Sequence, residues 1–494
     1  MLLNNSEGKG YGYMATLSVQ KGREILEKIH RAAEEQQLKV YAVGGFVRDL
    51  YLGKEGTDID FVVEGDAVAF ARYVRKKYRT GRVVAYPRFG TAMLVLEGYK
   101  LEFVSARQEH YTPDSRKPRV QKADLYTDLS RRDFTINCLA MRIDQAHFGE
   151  VIDIFNGIQD IEARIIRTPL DPVITFNDDP LRILRAIRFA TQLAFQIEEK
   201  TYQAIWVTRE RLKIISQERI TEEFKKILLA QQPSIGLNLL KETDILKIIF
   251  PELDLLSGVE QRQEYHHKDV FKHTLQVVDN IAQKTDKFEL RLAALLHDIA
   301  KPQTKRFVEG IGWTFHGHEE LGARMVARIG RRMRLPLNTI KYVQKLVRLH
   351  LRPIQLADET VTDSAIRRLM VEAGEDIDDL MMLCRSDITS KNPNKVKQFL
   401  KNFDRVEQRI KEVEEKDRLR QFKPAMSGTH IMEILNIPPG PLVGKIKQAI
   451  VDAILDGVIP NEYQACYDYL LKIKDQFFKS SPNALPSTAK KNME

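Results

Sequence analysis

Asp58 and Asp60 stand two apart in the run Asp58-Ile-Asp-Phe-Val-Val63, which is otherwise apolar. Residues two apart on a strand share a face, so the two carboxylates lie side by side, with roughly 6–7 Å between Cα atoms. Like charges that close are costly unless a cation holds them. A hard divalent ion such as Mg²⁺ takes carboxylate oxygens, keeps water and accepts phosphate oxygens. Just upstream, the apolar run Val40–Val43 meets Gly44 and Gly45, then an amphipathic turn of helix carrying Arg48 and Asp49. A Gly-Gly turn opening a helix presents backbone N–H groups that suit a phosphate, and Arg48 adds charge. Together these residues describe a nucleotidyl-transfer site in which metal bridges carboxylates and a triphosphate. A lone Asp-x-Asp reads more readily as the acidic edge of an ordinary strand; the Gly-Gly-x-x-Arg-Asp turn ahead of it reverses the preference in favour of the chemical reading.

The stretch Val40–Val63 resembles the signature of the class II tRNA nucleotidyltransferase and bacterial poly(A) polymerase family, within the polymerase-beta-like nucleotidyltransferases. The resemblance implies an α/β nucleotidyltransferase head with Mg²⁺ held by Asp58 and Asp60. It also implies a third carboxylate on a neighbouring strand, for which Glu102 is the candidate; a solvent-facing hairpin residue is the plain alternative. Glu109 to Leu129 is a long polar segment with Pro113 and Pro118, read as a functional loop. Arg107, Glu109, Tyr111 and Pro118 fit the flexible loop of the family. In Arg131-Arg-Asp-Phe-Thr-Ile-Asn137 the charges gather at the end of an element, and adjacent arginines are good phosphate donors. The resemblance gives Arg132 and Asp133 to the sugar and phosphates of the incoming nucleotide. Asp153 to Asp160 matches a short hinge motif, and reads equally as a turn before a helix.

In Asn177-Asp-Asp-Pro-Leu-Arg-Ile-Leu-Arg-Ala-Ile-Arg-Phe189, Pro180 at the first helical position places Asp179 at the cap. Arg182, Arg185 and Arg188 recur every three residues, close to one face. Cations at a helix N-terminus oppose the macrodipole, so this stripe calls for an anionic partner; a purely structural salt-bridge stripe is the alternative. The resemblance gives Asp179 and Arg182 the Watson–Crick edge of the incoming base. Cytosine and adenine each pair an exocyclic amino donor with a ring-nitrogen acceptor, matching a carboxylate and a guanidinium. Guanine and uracil present the reverse pattern and leave buried groups unpaired, at about 1–3 kcal/mol per group. Asp178 stands where the family usually has Glu. The segment Gln217–Leu228 resembles a structural motif of the same family.

A second constellation lies further on. His273, His297-Asp298 and Asp387 follow the order of the HD phosphohydrolase superfamily, which they resemble. That resemblance implies one divalent ion held by these four residues in a helical bundle. Histidine with carboxylate suits first-row transition metals better than Mg²⁺, and the ion would make hydroxide for attack on a phosphoester. His316, His318 and His350 are further candidates for a second ion or for phosphate.

The positioning elements follow from periodicity. Helices are expected over Ser18–Gln37, Ala67–Tyr78, Gln217–Leu228 and Leu290–Ile299, with another opened by Glu264–His273. Strands are expected over Val83–Tyr86, Ala92–Leu96 and Lys100–Val104. The chain has 494 residues, which implies two to four domains. The divisions expected are a leader with a helix over 1–38, the head over 39–157, a helical neck with base recognition over 158–258, an HD metal-binding domain over 259–395, a helical RNA-binding body over 396–479 and a disordered tail over 480–494. The architecture is thus an α/β head followed by an all-α neck, an HD helical domain and a helical tail. Asn394–Lys416 reads as a solvated helix or an RNA-facing surface, and the Gly/Pro turn at 437–445 as a phosphate contact or a simple turn.

A net charge of +9 favours anionic partners without identifying nucleic acid. Three scattered cysteines exclude a disulfide framework or a zinc ribbon and suit a reducing cytoplasm. No apolar run approaches a membrane span, and the N-terminus has no signal-peptide pattern. The function implied by the resemblance is template-independent CCA addition to the 3′ end of tRNA from CTP and ATP. For the HD region two readings stand side by side, an additional phosphohydrolase activity and a helical domain that keeps the fold without the chemistry. Poly(A) polymerase and C-only or A-only tRNA enzymes share the same head; a metal phosphohydrolase with a nucleotide-sensing head is the alternative of another class.

Overall fold

The computed structural model describes residues 22–112, 115–263, 266–310, 312–356, 362–390, 392–417 and 422–478. The expected leader and the tail over 480–494 lie outside the described residues. The chain divides into two compact units, 1–288 with 330–335, and 289–329 with 336–494.

The first unit opens with α1 (Arg23–Glu35), inside the expected helix Ser18–Gln37, of which residues 18–21 lie outside the described residues, and then β1 (Lys39–Val43), α2 (Gly45–Tyr51) and β2 (Asp58–Glu64). There follow α3 (Ala67–Tyr78), β3 (Val84–Tyr86), β4 (Thr91–Leu96) and β5 (Tyr99–Ser105). Glu97 and Gly98 alone form the β4–β5 turn, both at positive φ (50° and 84°), the pairing that matches the twist of a two-residue hairpin. With β8 (Leu139–Arg142) and β9 (Val151–Asp153) from further along the chain, the sheet order is β3-β4-β5-β2-β1-β8-β9. Its centre decides the site: β2 runs parallel to β5 and antiparallel to β1. Ile59, Phe61 and Val63 point to one face, where Phe61 stacks on Phe103 at 5.1 Å and Phe70 of α3 meets Phe103 edge-on at 5.3 Å. Asp58 and Asp60 consequently point to the other.

The segment expected to be a long loop is not one. Arg107–Thr112 (β6) and Ser115–Lys122 (β7) pair as an antiparallel ribbon, and Leu125–Ser130 forms α4. A two-stranded ribbon outside the main sheet needs no alternating apolar face, and the polar residues with Pro113 and Pro118 conceal it. Next come β8 (Leu139–Arg142), β9 (Val151–Asp153), α5 (Gly157–Ala163), α6 (Pro172–Asp178) and α7 (Leu181–Leu193). Helices α8 (Glu199–Thr208), α9 (Gln217–Leu228) and α10 (Pro233–Glu242) continue the unit. Helix α9 has the bounds expected from its apolar period, with Ile220, Phe224, Ile227 and Leu228 buried. The helix expected to open within 264–273 begins instead at Val270, after paired strands Glu260–Gln263 and His266–Asp269.

Among the described residues the regular structure of the second unit is helical apart from one short ribbon, Arg306–Val308 paired with Gly312–Thr314. The helix expected over Leu290–Ile299 spans Phe288–Leu296, so His297 and Asp298 occupy the turn just beyond it. Asp387 ends the helix Ile377–Asp387. The charged helix Pro393–Asp417 is not solvated all round: Phe403, Val406, Ile410 and Val413 are buried along one side. A separate cluster of Met426, Ile431, Val443, Ile446, Ile450 and Leu470 forms the core of the C-terminal helices.

Candidate functional site

Strand register assembles the carboxylates of the first unit. Asp60 lies opposite Glu102 on β5 and opposite Val43 on β1, while Asp58 lies opposite Lys100. Paired positions share a face, so Glu102 joins Asp58 and Asp60, and the end of β1 delivers Gly44 and Gly45 beside them. Asp60 and Glu102 line one cavity of ≈ 660 Å³, with Gly44, Gly45, Arg48 and Arg132 also in its wall. Burial raises the pKa of Asp60, Asp58 raises it further, and Arg132 opposes both. Glu102 is raised by burial and then by Asp60. This mutual repulsion fits a divalent cation, which would stabilise all three carboxylates in their charged form.

Gly44 is required at the turn. Its φ is +71°, and a Cβ there would stand 2.8 Å from Arg132 Nη1. Arg48 donates from Nη1 to Asn137 Oδ1 at 2.6 Å and from Nε to Asp49 Oδ1 at 2.9 Å. Arg131 and Arg132 both pair with Asp128 on α4, at 2.5 Å and 3.2 Å. Asp128 is fully buried; burial pushes its pKa up, but Arg132 and then Arg131 outweigh this and hold it low. Asp128 and Asn137 are positions the sequence reading missed. The i,i+3 and i,i+4 spacing of Asp128 to the two arginines was the available signal.

The arginine stripe of α7 finds partners within the protein. Arg185 donates to Asp133 Oδ2 from Nε at 2.7 Å and pairs through Nη2 at 2.5 Å. Asp133 Oδ1 accepts from the Phe134 N–H and from Asn137 Nδ2. Burial opposes ionisation of Asp133, yet Arg185 and Asn137 lower its pKa to about 2. Arg188 is buried against Glu223 at 2.9 Å and lies 4.2 Å from the Phe189 ring centroid. Burial, then Arg185, lowers its pKa to about 10. Carboxylates of the protein are thus the anionic partners of Arg185 and Arg188. Arg182 donates to carbonyls only, Arg131 O at 2.6 Å and Thr175 O at 3.4 Å.

Asp179 caps α7 one residue further out than expected, its Oδ1 accepting from the Leu181 N–H at 3.1 Å. Its Oδ2 pairs with Arg219 of α9 at 3.4 Å. Asp179, Arg182, Arg185, Arg188 and Arg219 all line the same cavity as the carboxylates. Arg219 belongs to the stretch read as structural, and nothing in its local pattern marked it. The hinge candidate is a helix cap as well: Asp153 accepts from the N–H groups of Gly157 and Ile158 at 2.8 and 2.9 Å.

The second unit carries its own group. His297, His318 and His350 each place Nδ1 on the carbonyl of Ala294, Phe315 and Val347, at 2.8, 2.7 and 2.6 Å. A carbonyl only accepts, so each Nδ1 carries the proton and a neutral ring presents an Nε2 lone pair. His318 and His350 bring Nε2 atoms within 3.3 Å, and Asp298 Oδ1 lies 3.4 Å from His318 Nε2. Ligand atoms of Asp298, His318 and His350 all lie within 4.8 Å of one another. His297 Nε2 lies 3.1 Å from Asp298 and 3.4 Å from Asp387. Burial lowers the His297 pKa, but Asp298 and Asp387 raise it to about 10, showing how strongly this point favours positive charge. Converging imidazoles and carboxylates fit a divalent ion. His318 and His350, named from the sequence as further candidates, are thus within the group, whereas His316 is exposed. His273 is buried on the helix Val270–Ala282 of the first unit.

The chain matches the poly A polymerase head domain over residues 40–167, a probable RNA- and SrmB-binding site of polymerase A over 194–256, and an HD domain over 270–407. A CC-adding tRNA nucleotidyltransferase of Thermus thermophilus is 30% identical over 437 residues, 86% of this chain and 92% of that protein. The chain belongs to the tRNA nucleotidyltransferase and poly(A) polymerase family. Two A-adding tRNA nucleotidyltransferases, of Aquifex aeolicus and Geobacter sulfurreducens, are 36% and 35% identical over 55% and 54% of the chain. The chain spans about a third of their length, 32% and 28%. A crystal structure of a tRNA nucleotidyltransferase with a primer tRNA and an incoming ATP analogue is similar with a TM-score of 0.55 and 25% identity, covering 77% of this chain and 99% of that one. No helix among the described residues is long and apolar enough to cross a membrane.

Proposed function

We propose that the chain adds CCA, without a template, to the 3′ end of tRNA from CTP and ATP. The observation that carries this reading is the meeting, in one cavity, of the Asp60–Glu102 carboxylate pair with Asp179 and Arg182 across it. Asp58 and Asp60, with Glu102, would hold Mg²⁺, which supplies a Lewis acid at the α-phosphate and lowers the pKa of the RNA 3′-hydroxyl. Arg48 and Arg132 take the triphosphate at the Gly44-Gly45 turn, each held in place from behind by Asn137 and Asp128. Asp133 acts on the nucleotide through Arg185 and Asn137, since both its oxygens are engaged by protein donors. Asp179 accepts from the amino group of cytosine or adenine and Arg182 donates to the adjacent ring nitrogen. Arg219 competes for the same Asp179 oxygen when no base is present, which keeps that carboxylate paired between additions.

A second activity rests on the convergence of imidazoles on Asp298 in the second unit. His297, His318, His350, Asp298 and Asp387 would hold a divalent transition metal, which would supply hydroxide for phosphoester hydrolysis.

The test is incorporation of each labelled nucleotide into tRNA transcripts ending before CCA, after C and after CC, with Mg²⁺. Addition that stops at CCA on the first transcript is expected. Long A tails would establish a poly(A) polymerase instead. Activity confined to the CC-ended transcript would establish an A-adding enzyme, and to the shorter ones a CC-adding enzyme.

A further inference from the structure

The short ribbon of the second unit exposes what proteins usually bury. Phe307 and Trp313 are directly opposite one another in the ladder, so they share one face. Phe307 is 62% exposed and Trp313 42% exposed. Their rings meet edge to face with centroids 5.3 Å apart, and Lys305 Nζ lies 4.4 Å from the Trp313 centroid. Arg306 is exposed beside them, and Glu309 is the exposed carboxylate at the turn. A pair of accessible aromatic rings flanked by cations is the chemistry that stacks nucleobases and follows a phosphate backbone.

The location of the ribbon gives the platform a purpose. It is inserted between two members of the imidazole–carboxylate group, Asp298 and His318. Lys301 pairs with Asp298 at 2.7 Å and lies 5.6 Å from the centroid of Phe315, whose carbonyl orients His318. The ribbon is thus tied at both ends to residues of the group.

We propose that Phe307 and Trp313 form a nucleobase-stacking platform that seats the terminal nucleotide of a single-stranded RNA at the HD centre, so that this centre acts on nucleotidyl phosphoesters rather than on small phosphate esters without a base. This rests on the metal-centre reading of Asp298, His318 and His350. Charge complementarity selects the occupant: Lys305 at the Trp313 ring and exposed Arg306, with Glu309 at the turn, favour a polyanion.

The chain has two tryptophans, so Trp206→Phe in the full chain leaves Trp313 as the sole indole reporter. Its emission is titrated with a tetra-adenylate RNA bearing a 3′-phosphate, with 3′-AMP and with inorganic phosphate, and metal content is measured on the same preparation. Saturable quenching by the RNA, weakened about tenfold by Phe307→Leu, is expected; leucine keeps the apolar pairing across the ribbon and removes the stacking face. Equally tight quenching by 3′-AMP would support the platform and make a free nucleotide its source. Quenching equal in Phe307→Leu, or absent with both base-bearing probes, as a protein-docking ribbon would give, overturns the proposal. Metal content is read separately: a preparation that binds no divalent ion, yet quenches with RNA, refutes the metal centre and retains the platform.

Discussion

At the scale of single residues, the candidate site is built from charges that the protein alone leaves in conflict or in balance. Asp60 is in conflict. Its carboxyl is held above the ordinary range by burial and by Asp58. An acid whose folded pKa is raised binds its proton more tightly when folded, so above that pKa its charge costs stability. Asp60→Asn is therefore expected to abolish nucleotide incorporation while raising the melting temperature at pH 7 in EDTA. Mg²⁺ should stabilise the wild type more than the variant; a variant that melts lower than wild type in EDTA would contradict the conflict. Asp133 is in balance. Its folded pKa of about 2 lies below the ordinary carboxylate value of about 3.9. Its contribution, about 2 kcal/mol, is complete above the unfolded pKa and is lost as pH falls through the folded one. Arg185→Met removes the main counter-charge, so its acid-unfolding midpoint, followed by far-UV circular dichroism, is expected to move up by about one pH unit.

At the scale of elements, close backbone approaches fix where the site's parts stand. The turn from β9 into α5 is the tightest: a Cβ on Gly157 would lie 2.3 Å from the carbonyl oxygen of Thr135. Backbone cannot rotate aside as a side chain does, so Gly157→Ala should cost about 2–3 kcal/mol, read as a lower urea midpoint with an unchanged slope. Thr135 belongs to the same segment as Asp133 and Asn137, so incorporation should fall with stability. The sequence made much of this scale legible. Ala67–Tyr78 and Gln217–Leu228 follow the apolar period to their ends, because each buries one face. Asp58, Asp60 and the Gly44-Gly45 turn were legible because their chemistry is local. Glu102 was a weaker candidate because only strand register brings it to Asp60. Asn137 and Arg219 were hidden for the same reason: each reaches its site residue, Arg48 or Asp179, through tertiary packing. The β6–β7 ribbon was missed because its polar sequence gives no alternation.

At the scale of the whole molecule, two candidate metal chemistries are lodged in separate compact units. The carboxylate set around Asp60 suits Mg²⁺, and the imidazole set around Asp298 suits a transition ion. The two should therefore fail independently. His350→Ala removes one of the converging Nε2 donors without touching any residue of the nucleotide cavity. Elemental analysis of the purified variant is expected to show the transition metal reduced at least tenfold, while CTP and ATP incorporation into a tRNA transcript stays within about twofold of wild type. Asp60→Asn is expected to give the converse, full metal content and no incorporation. Any phosphoester hydrolysis should follow the first variant and not the second. A single substitution that removed both metal content and incorporation, with folding retained by circular dichroism, would mean that one ion serves both chemistries. The donor sets argue against that, because the hard oxygens of the head and the borderline nitrogens of the second unit select different ions from the same solution.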